Sequence, residues 1–158
     1  MRTQTHWPIA VTFALIGLVT CVAPSSVRAG VDADVRAGVF ANADAVGVGA
    51  GVLAPMGSRS RWYANPNAEV AMGDTENLVS LNGDFHCDIS HQTTTSVWLG
   101  AGPAILIQDR EGDNRSDLGI NLLAGMGKTR GSVRPFGQIK GVVADNNGGV
   151  ALVGGVRF

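Results

Sequence analysis

His86, Asp88, Ser90 and His91 bring two imidazoles, a carboxylate and a hydroxyl into six consecutive residues. That is the inventory of nucleophilic acyl transfer, in which a base takes the hydroxyl proton and an acid orients the base. A second group, Asp109, Glu111, Asp113 and Asp117, has the hard oxygen ligands that divalent cations prefer. It lacks the length and glycine of an EF-hand loop, so a solvated acidic loop is the default and these four are weak metal candidates. A third group is polar and scattered: Arg36, Glu69, Asp84, His86, Gln138, Lys140 and Arg157. Each sits in a segment where polar and apolar residues alternate, so together they belong to one face of a sheet. No phosphate-loop, dinucleotide, zinc or thiol-redox motif is present, and no cofactor is implied. Gly47, Gly49 and Gly51 alternate with valine and alanine at strand spacing rather than forming a phosphate cradle.

The elements that must carry these residues follow from the rest of the chain. Met1 to Ala29 has the form of a cleaved secretory signal: Arg2, then an apolar run from Ile9 to Val22, then Val27-Arg28-Ala29 before the cut. Fourteen apolar residues fall short of the roughly 20 that a spanning helix needs. The mature chain therefore starts at about Gly30, and residues 30–158 form one domain. Losing Arg2 and Arg28 leaves ten basic and thirteen acidic residues, net −3, and a single cysteine, Cys87. No intramolecular disulfide is available, so a small exported domain needs another source of stability, such as a closed barrel or a membrane. Near-neutral charge without a basic cluster excludes a nucleic-acid partner.

From Val31 onward no 3.6-residue periodicity persists; period-2 alternation does. It predicts eight strands at 31–40, 45–54, 61–72, 78–88, 95–107, 117–126, 133–144 and 149–158, broken by clusters of Gly, Asn, Asp and Ser. Within 78–89, Val79, Leu81, Phe85, Cys87 and Ile89 oppose Ser80, Asn82, Asp84 and His86. Within 61–72, Trp62, Ala64, Ala68, Val70 and Met72 oppose Asn65, Asn67 and Glu69. The polar face carries few charges and many Gly, Asn, Ser and Gln, unlike a water-facing sheet with its Lys and Glu. Eight antiparallel strands, mostly of membrane-spanning length, predict an up-and-down transmembrane β-barrel with the polar face inside.

The chain stops on Phe158 after Val150, Leu152 and Val156 at alternating positions. That ending resembles the C-terminal strand by which Gram-negative outer-membrane barrels are recognised by their assembly machinery. The stretches 61–67, 97–103, 119–125 and 134–140 also resemble small eight-stranded outer-membrane β-barrel proteins. The resemblance implies a barrel in the cell outer membrane, in contact with outer-membrane lipids and lipopolysaccharide, and monomeric. It implies little about activity, since such barrels include scaffolds, adhesins, narrow pores and lipid-active enzymes.

With both mature termini periplasmic, loops 41–44, 73–77, 109–116 and 145–148 face outward and, with Asp117, carry eight acids against Arg110 and Arg115. The opposite turns carry Arg59, Arg61, Lys128, Arg130 and Arg134. Inside, Glu69 and Asp84 are expected to pair with Arg36, Lys140 or Arg157, either as a static polar filling or as a narrow gated, porin-like pore. His86 falls in the lumen while Ser90 and His91 fall in a periplasmic turn, so a catalytic triad is not expected. The function expected is a surface or structural one. The alternatives are a lipid-modifying enzyme of the outer membrane and a soluble periplasmic lipocalin-like barrel holding an apolar ligand.

Overall fold

A computed structural model describes residues 30–41, 44–57, 61–73, 77–90, 94–110, 113–145 and 148–158, with the backbone alone at Arg110, Asp113 and Asn114. The signal-peptide expectation falls on residues 1–29 and lies outside these, as do His91, Glu111, Asp74 and Glu76. Eight strands follow one another: β1 (Asp32–Phe40), β2 (Ala45–Pro55), β3 (Trp62–Gly73), β4 (Asn77–Asp88), β5 (Thr95–Arg110), β6 (Asp113–Lys128), β7 (Arg134–Ala144) and β8 (Gly149–Arg157). Each pairs antiparallel with its neighbour, and β1 pairs with β8, so the sheet closes on itself. Closure satisfies every strand edge, which a sheet in an apolar medium requires.

Following the register once around the barrel from Trp98 returns to β5 at Gln108, ten residues further along. Ten residues of stagger over eight strands tilt the strands by about 40° and leave an interior just wide enough for side chains to fill.

The predicted strands match these in number and order, with one substantive difference. Residues 109–116 were expected to be a loop, yet β5 and β6 continue as a paired ribbon through Gln108↔Arg115, Asp109↔Asn114 and Arg110↔Asp113. The ribbon rises beyond the apolar band, so both its faces are polar. Alternation, the signal that marks the other strands, has no reason to persist there.

The alternation is inverted relative to a soluble barrel. Leu118 is 75% exposed and Val143 64%, and Leu81, Phe85, Ile139, Val150 and Leu152 are exposed with them. The polar side chains are inside: Lys140 is 1% exposed and Glu69 2%. A lipocalin-like interior lined by Val79, Leu81 and Phe85 is therefore not what this chain builds; those residues belong to the outer face. The outer wall is uneven. Over β1 to β5 it carries Ala50, Ala68, Gly83, Pro66 and Pro103, forming a shallow groove bordered by Phe158, whereas β6 to β8 present Leu, Ile and Val.

Glycines inside the barrel serve as sockets for rings. The indole of Trp98 (β5) lies across Gly125 on β6, where a Cβ would come within 2.5 Å of the ring. Phe136 (β7) covers Gly155 on β8 in the same way, at 2.6 Å, and Phe40 (β1) covers Gly47 on β2 at 2.7 Å. No real Cβ tolerates such approaches, so only glycine lets a ring lie flat against the neighbouring strand in so narrow a lumen.

Candidate functional site

The lumen is layered along its axis. At the loop end, opposite the termini, where the β1–β2, β3–β4, β5–β6 and β7–β8 loops emerge, Phe40, Ala45, Ala71, Leu78, Leu106, Ala151 and Val153 form an apolar cluster. At the end holding the termini, Trp98, Leu123 and Phe136 form a second. Between them lies a belt of polar side chains.

The belt begins on β1, where the guanidinium of Arg36 donates to both carboxylate oxygens of Asp34, each at 2.7 Å. Arg36 also donates to Asn65 Oδ1 at 3.0 Å. Asn67 then donates to Asp84 Oδ2 at 2.9 Å, Asn82 to Asn67 Oδ1 at 2.9 Å, and Asn121 to both Asn82 Oδ1 and Asp84 Oδ1 at 2.8 Å. Beside this chain, Lys140 on β7 reaches across to Glu69 on β3, which also accepts from Ser80 Oγ at 3.2 Å. Arg36 Nη1 stands 3.7 Å from the other oxygen of Glu69. Charges so deeply buried are tolerable only because each finds an opposite charge or several donors.

One bond in the belt repairs the wall. Pro66 has no N–H, and it stands at the rung of β3 where the Val52 carbonyl of β2 would accept one, between the pairs Gly51↔Asn67 and Ala54↔Ala64. The side-chain amide of Asn65 donates to that carbonyl instead, at 2.9 Å.

No protein-family model and no curated protein sequence matches this chain. Solved structures do. Neisserial surface protein A is 16% identical with a TM-score of 0.64, covering 80% of this chain and 94% of that one. The N-terminal β-barrel domain of Pseudomonas aeruginosa OprF is 13% identical with a TM-score of 0.61, covering 81% and 96%. Ail, the attachment invasion locus protein of Yersinia pestis, is 12% identical with a TM-score of 0.50, again covering 81% and 96%. The fold is that of small eight-stranded outer-membrane barrels. The likeness is one of fold, and what this barrel does must be argued from its own side chains.

Within the barrel, Arg36, Glu69, Asp84, His86, Gln138, Lys140 and Arg157 are all buried in the lumen. They do not all meet. Glu69 joins Lys140 and Arg36, but Asp84 has no cation partner among the described residues: it stands on β4, and the amides of Asn67 and Asn121 reach it first. Arg157 has no carboxylate within ion-pair distance among the described residues. Its guanidinium lies between two rings, 4.4 Å from the centroid of Trp98 and 4.5 Å from that of Phe136. His86 stacks on the other side of the same region, 5.8 Å from the Trp98 ring and within 4° of parallel.

The described members of the acyl-transfer inventory are divided between the β4–β5 turn and the lumen. Ser90 Oγ donates to the Thr95 carbonyl at 3.2 Å, and Asp88 accepts from the Ser90 backbone N–H and from Ser96 Oγ. These bonds shape the β4–β5 turn, while His86 points into the lumen. Two of the acidic residues of the β5–β6 ribbon stand well apart. Asp117 stands opposite inward-facing Leu106, three rungs below the rung of exposed Asp109. No three His, Cys, Asp or Glu side chains gather into a metal-binding group among the described residues.

Val150, Leu152 and Phe158 are exposed on the outer wall. Phe158 is tied to the barrel by its N–H, which donates to the Ala33 carbonyl at 2.9 Å.

Sequence reasoning missed Asp34, Trp98 and Phe136 as parts of the site. Trp98 shares its phase along β5 with Gly100 and Gly102, and Phe136 shares its phase along β7 with Gln138 and Lys140. A ring in phase with glycines and polar residues is the signal that marks it as inward.

Proposed function

We propose that this protein is a small outer-membrane barrel of a Gram-negative cell envelope with a surface or structural role and no catalytic activity. It inserts as a monomer, with the termini facing the periplasm and the β1–β2, β3–β4, β5–β6 and β7–β8 loops facing outward among lipopolysaccharide. The observation that carries this is the inversion of the barrel: exposed Leu118, Ile120, Leu122 and Val143 outside, buried Lys140, Glu69 and Asp84 inside. An apolar exterior of this extent is unstable in water and fits lipid. The alternating residues before Phe158 serve the barrel assembly machinery.

Membrane fractionation followed by gel mobility with and without heating tests the reading. The expected result is recovery in the outer-membrane fraction and a heat-dependent mobility shift. A mature protein fully soluble without detergent refutes it.

A narrow gated pore is the second reading, favoured by Glu69 standing between two cations, Lys140 and Arg36. Exchange of Glu69 from one to the other would open a path along the belt. Planar bilayer recordings of refolded protein without conductance steps dispose of this reading and leave the first intact.

A further inference from the structure

The two ends of the lumen differ in a way that the filled-core reading does not require. The loop end is sealed by aliphatic and phenyl groups. The termini end is cationic and holds polar atoms that are buried and unpartnered.

Three arginines converge there on β1, β7 and β8. Arg157 is the register partner of both Asp34 and Arg134. Asp34, however, is taken by Arg36, and Asp32 is taken by Arg134 at 2.7 Å. One guanidinium is left over. Two aromatic faces hold Arg157 in place, and its Nε is buried and without a hydrogen-bond partner among the described residues. Around it, the indole N–H of Trp98, the Nε2 of His86 and the side-chain amide of Gln138 are also buried and unpartnered. They are neighbours: His86 stacks on Trp98, the indole nitrogen of Trp98 lies against Gly125, and Gly125 is the register partner of Gln138. Buried donors of this kind cost free energy unless an acceptor meets them. Outside the mouth, Lys128 at the end of β6 and Arg130 on the turn that follows are exposed at the same end, adding positive potential on the approach.

We propose that the termini end of the lumen is a binding site for a small oxyanion, a phosphate group, with Arg157 as its charged anchor and Trp98 Nε1–H and Gln138 Nε2 as further donors. A planar guanidinium presents paired N–H groups that match the edge of such an anion. The apolar seal at the other end makes this a dead-end site, filled only from the side of the termini. The proposal stands on the interior geometry and does not depend on where the barrel resides.

The test uses protein refolded in a maltoside detergent, whose headgroup contains no phosphate. In a Trp7→Phe, Trp62→Phe background, Trp98 is the one indole left. Its emission is followed while inorganic phosphate replaces chloride at constant ionic strength. The expected result is a saturating change with a dissociation constant of about a millimolar. Arg157→Gln should weaken it at least tenfold and Asp109→Asn, at the opposite end, should leave it unchanged. A response linear in phosphate, or one within twofold of the parent in Arg157→Gln, overturns the proposal. Should Arg157→Gln fail the heat-shift test for folding, calorimetry on Arg157→Lys and Gln138→Leu decides: weaker binding in both supports the site, and parental binding in both removes it. Phosphatidylcholine vesicles with and without phosphatidylglycerol identify the source. A response needing phosphatidylglycerol, lost in Arg157→Gln, assigns the phosphate to a lipid headgroup, and saturation by inorganic phosphate alone assigns it to a free anion.

Discussion

Glu69→Gln isolates the Lys140 ammonium, and the structure sets the size of the effect. Lys140 is almost fully buried, and its other favourable contact is the face of Phe40, 5.9 Å away. Removing the carboxylate charge leaves an ammonium with a neutral amide, which for a buried pair costs about 3–5 kcal/mol. The reciprocal change, Lys140→Met, is less severe. Glu69 retains the Ser80 hydroxyl and can draw on Arg36, 3.7 Å from its second oxygen, so about 2 kcal/mol is expected, near the cost of an imperfectly satisfied buried acceptor. The double variant replaces the pair by neutral groups and should cost less than Glu69→Gln alone. Reversible urea unfolding in lipid vesicles, read by the heat-shift gel and by tryptophan emission, gives all three values as one thermodynamic cycle. Single-variant costs below about 1 kcal/mol that simply add would refute the reasoning, because they would mean that water already shares the lumen with both charges.

Three further outcomes follow from the packing. Gly125→Ala sets a methyl against the Trp98 indole and should cost about 1–3 kcal/mol of unfolding free energy; the cost should shrink in a Trp98→Leu background, and an equal cost in both backgrounds counts against the socket. Asn65→Ala orphans the Val52 carbonyl and should cost about 1–3 kcal/mol. In a Pro66→Ala background, where a backbone N–H is restored at that rung, the same change should cost less; no difference between backgrounds contradicts the repair. Removing Phe158 takes away the terminal aromatic and should lower the yield of heat-shifted barrel in cells while leaving refolding in vitro nearly intact, and an unchanged cellular yield argues against its role in assembly.

The strands were legible because one physical rule governs most of their length: a residue faces lipid or lumen, and its neighbours face the other way. The inward phase of Glu69, Asp84, His86 and Lys140 could be read from the same rule. Partner choice could not. Whether Asp84 meets Arg157 or two asparagines depends on stagger around the barrel, and alternation fixes a residue's face but not its height. The β5–β6 ribbon escaped for a related reason, since beyond the apolar band successive residues such as Gln108 and Asp109 are both polar and leave no alternation to read. Asp34 shares the inward phase of Arg36 on β1, so the same rule could have found it; sequence reasoning passed over it as a residue near the strand's start.

The outer wall tells in from out and nothing more. A strand displaced by two residues keeps every valine and leucine facing outward, so a surrounding bilayer cannot detect the error. The rings can. Sliding β8 by two residues along β7 would bring Val153 or Arg157 under Phe136 in place of Gly155, and neither leaves room for the ring. Each ring and its socket lie within one hairpin, β1–β2, β5–β6 or β7–β8, so this check operates on neighbouring strands as they pair. The asparagine belt, spanning β1, β3, β4 and β6, then checks what the hairpins cannot, the stagger between strands of different hairpins. The interior is thus a gauge of register as well as a filling, and it discriminates between alignments that the surrounding lipid would accept equally.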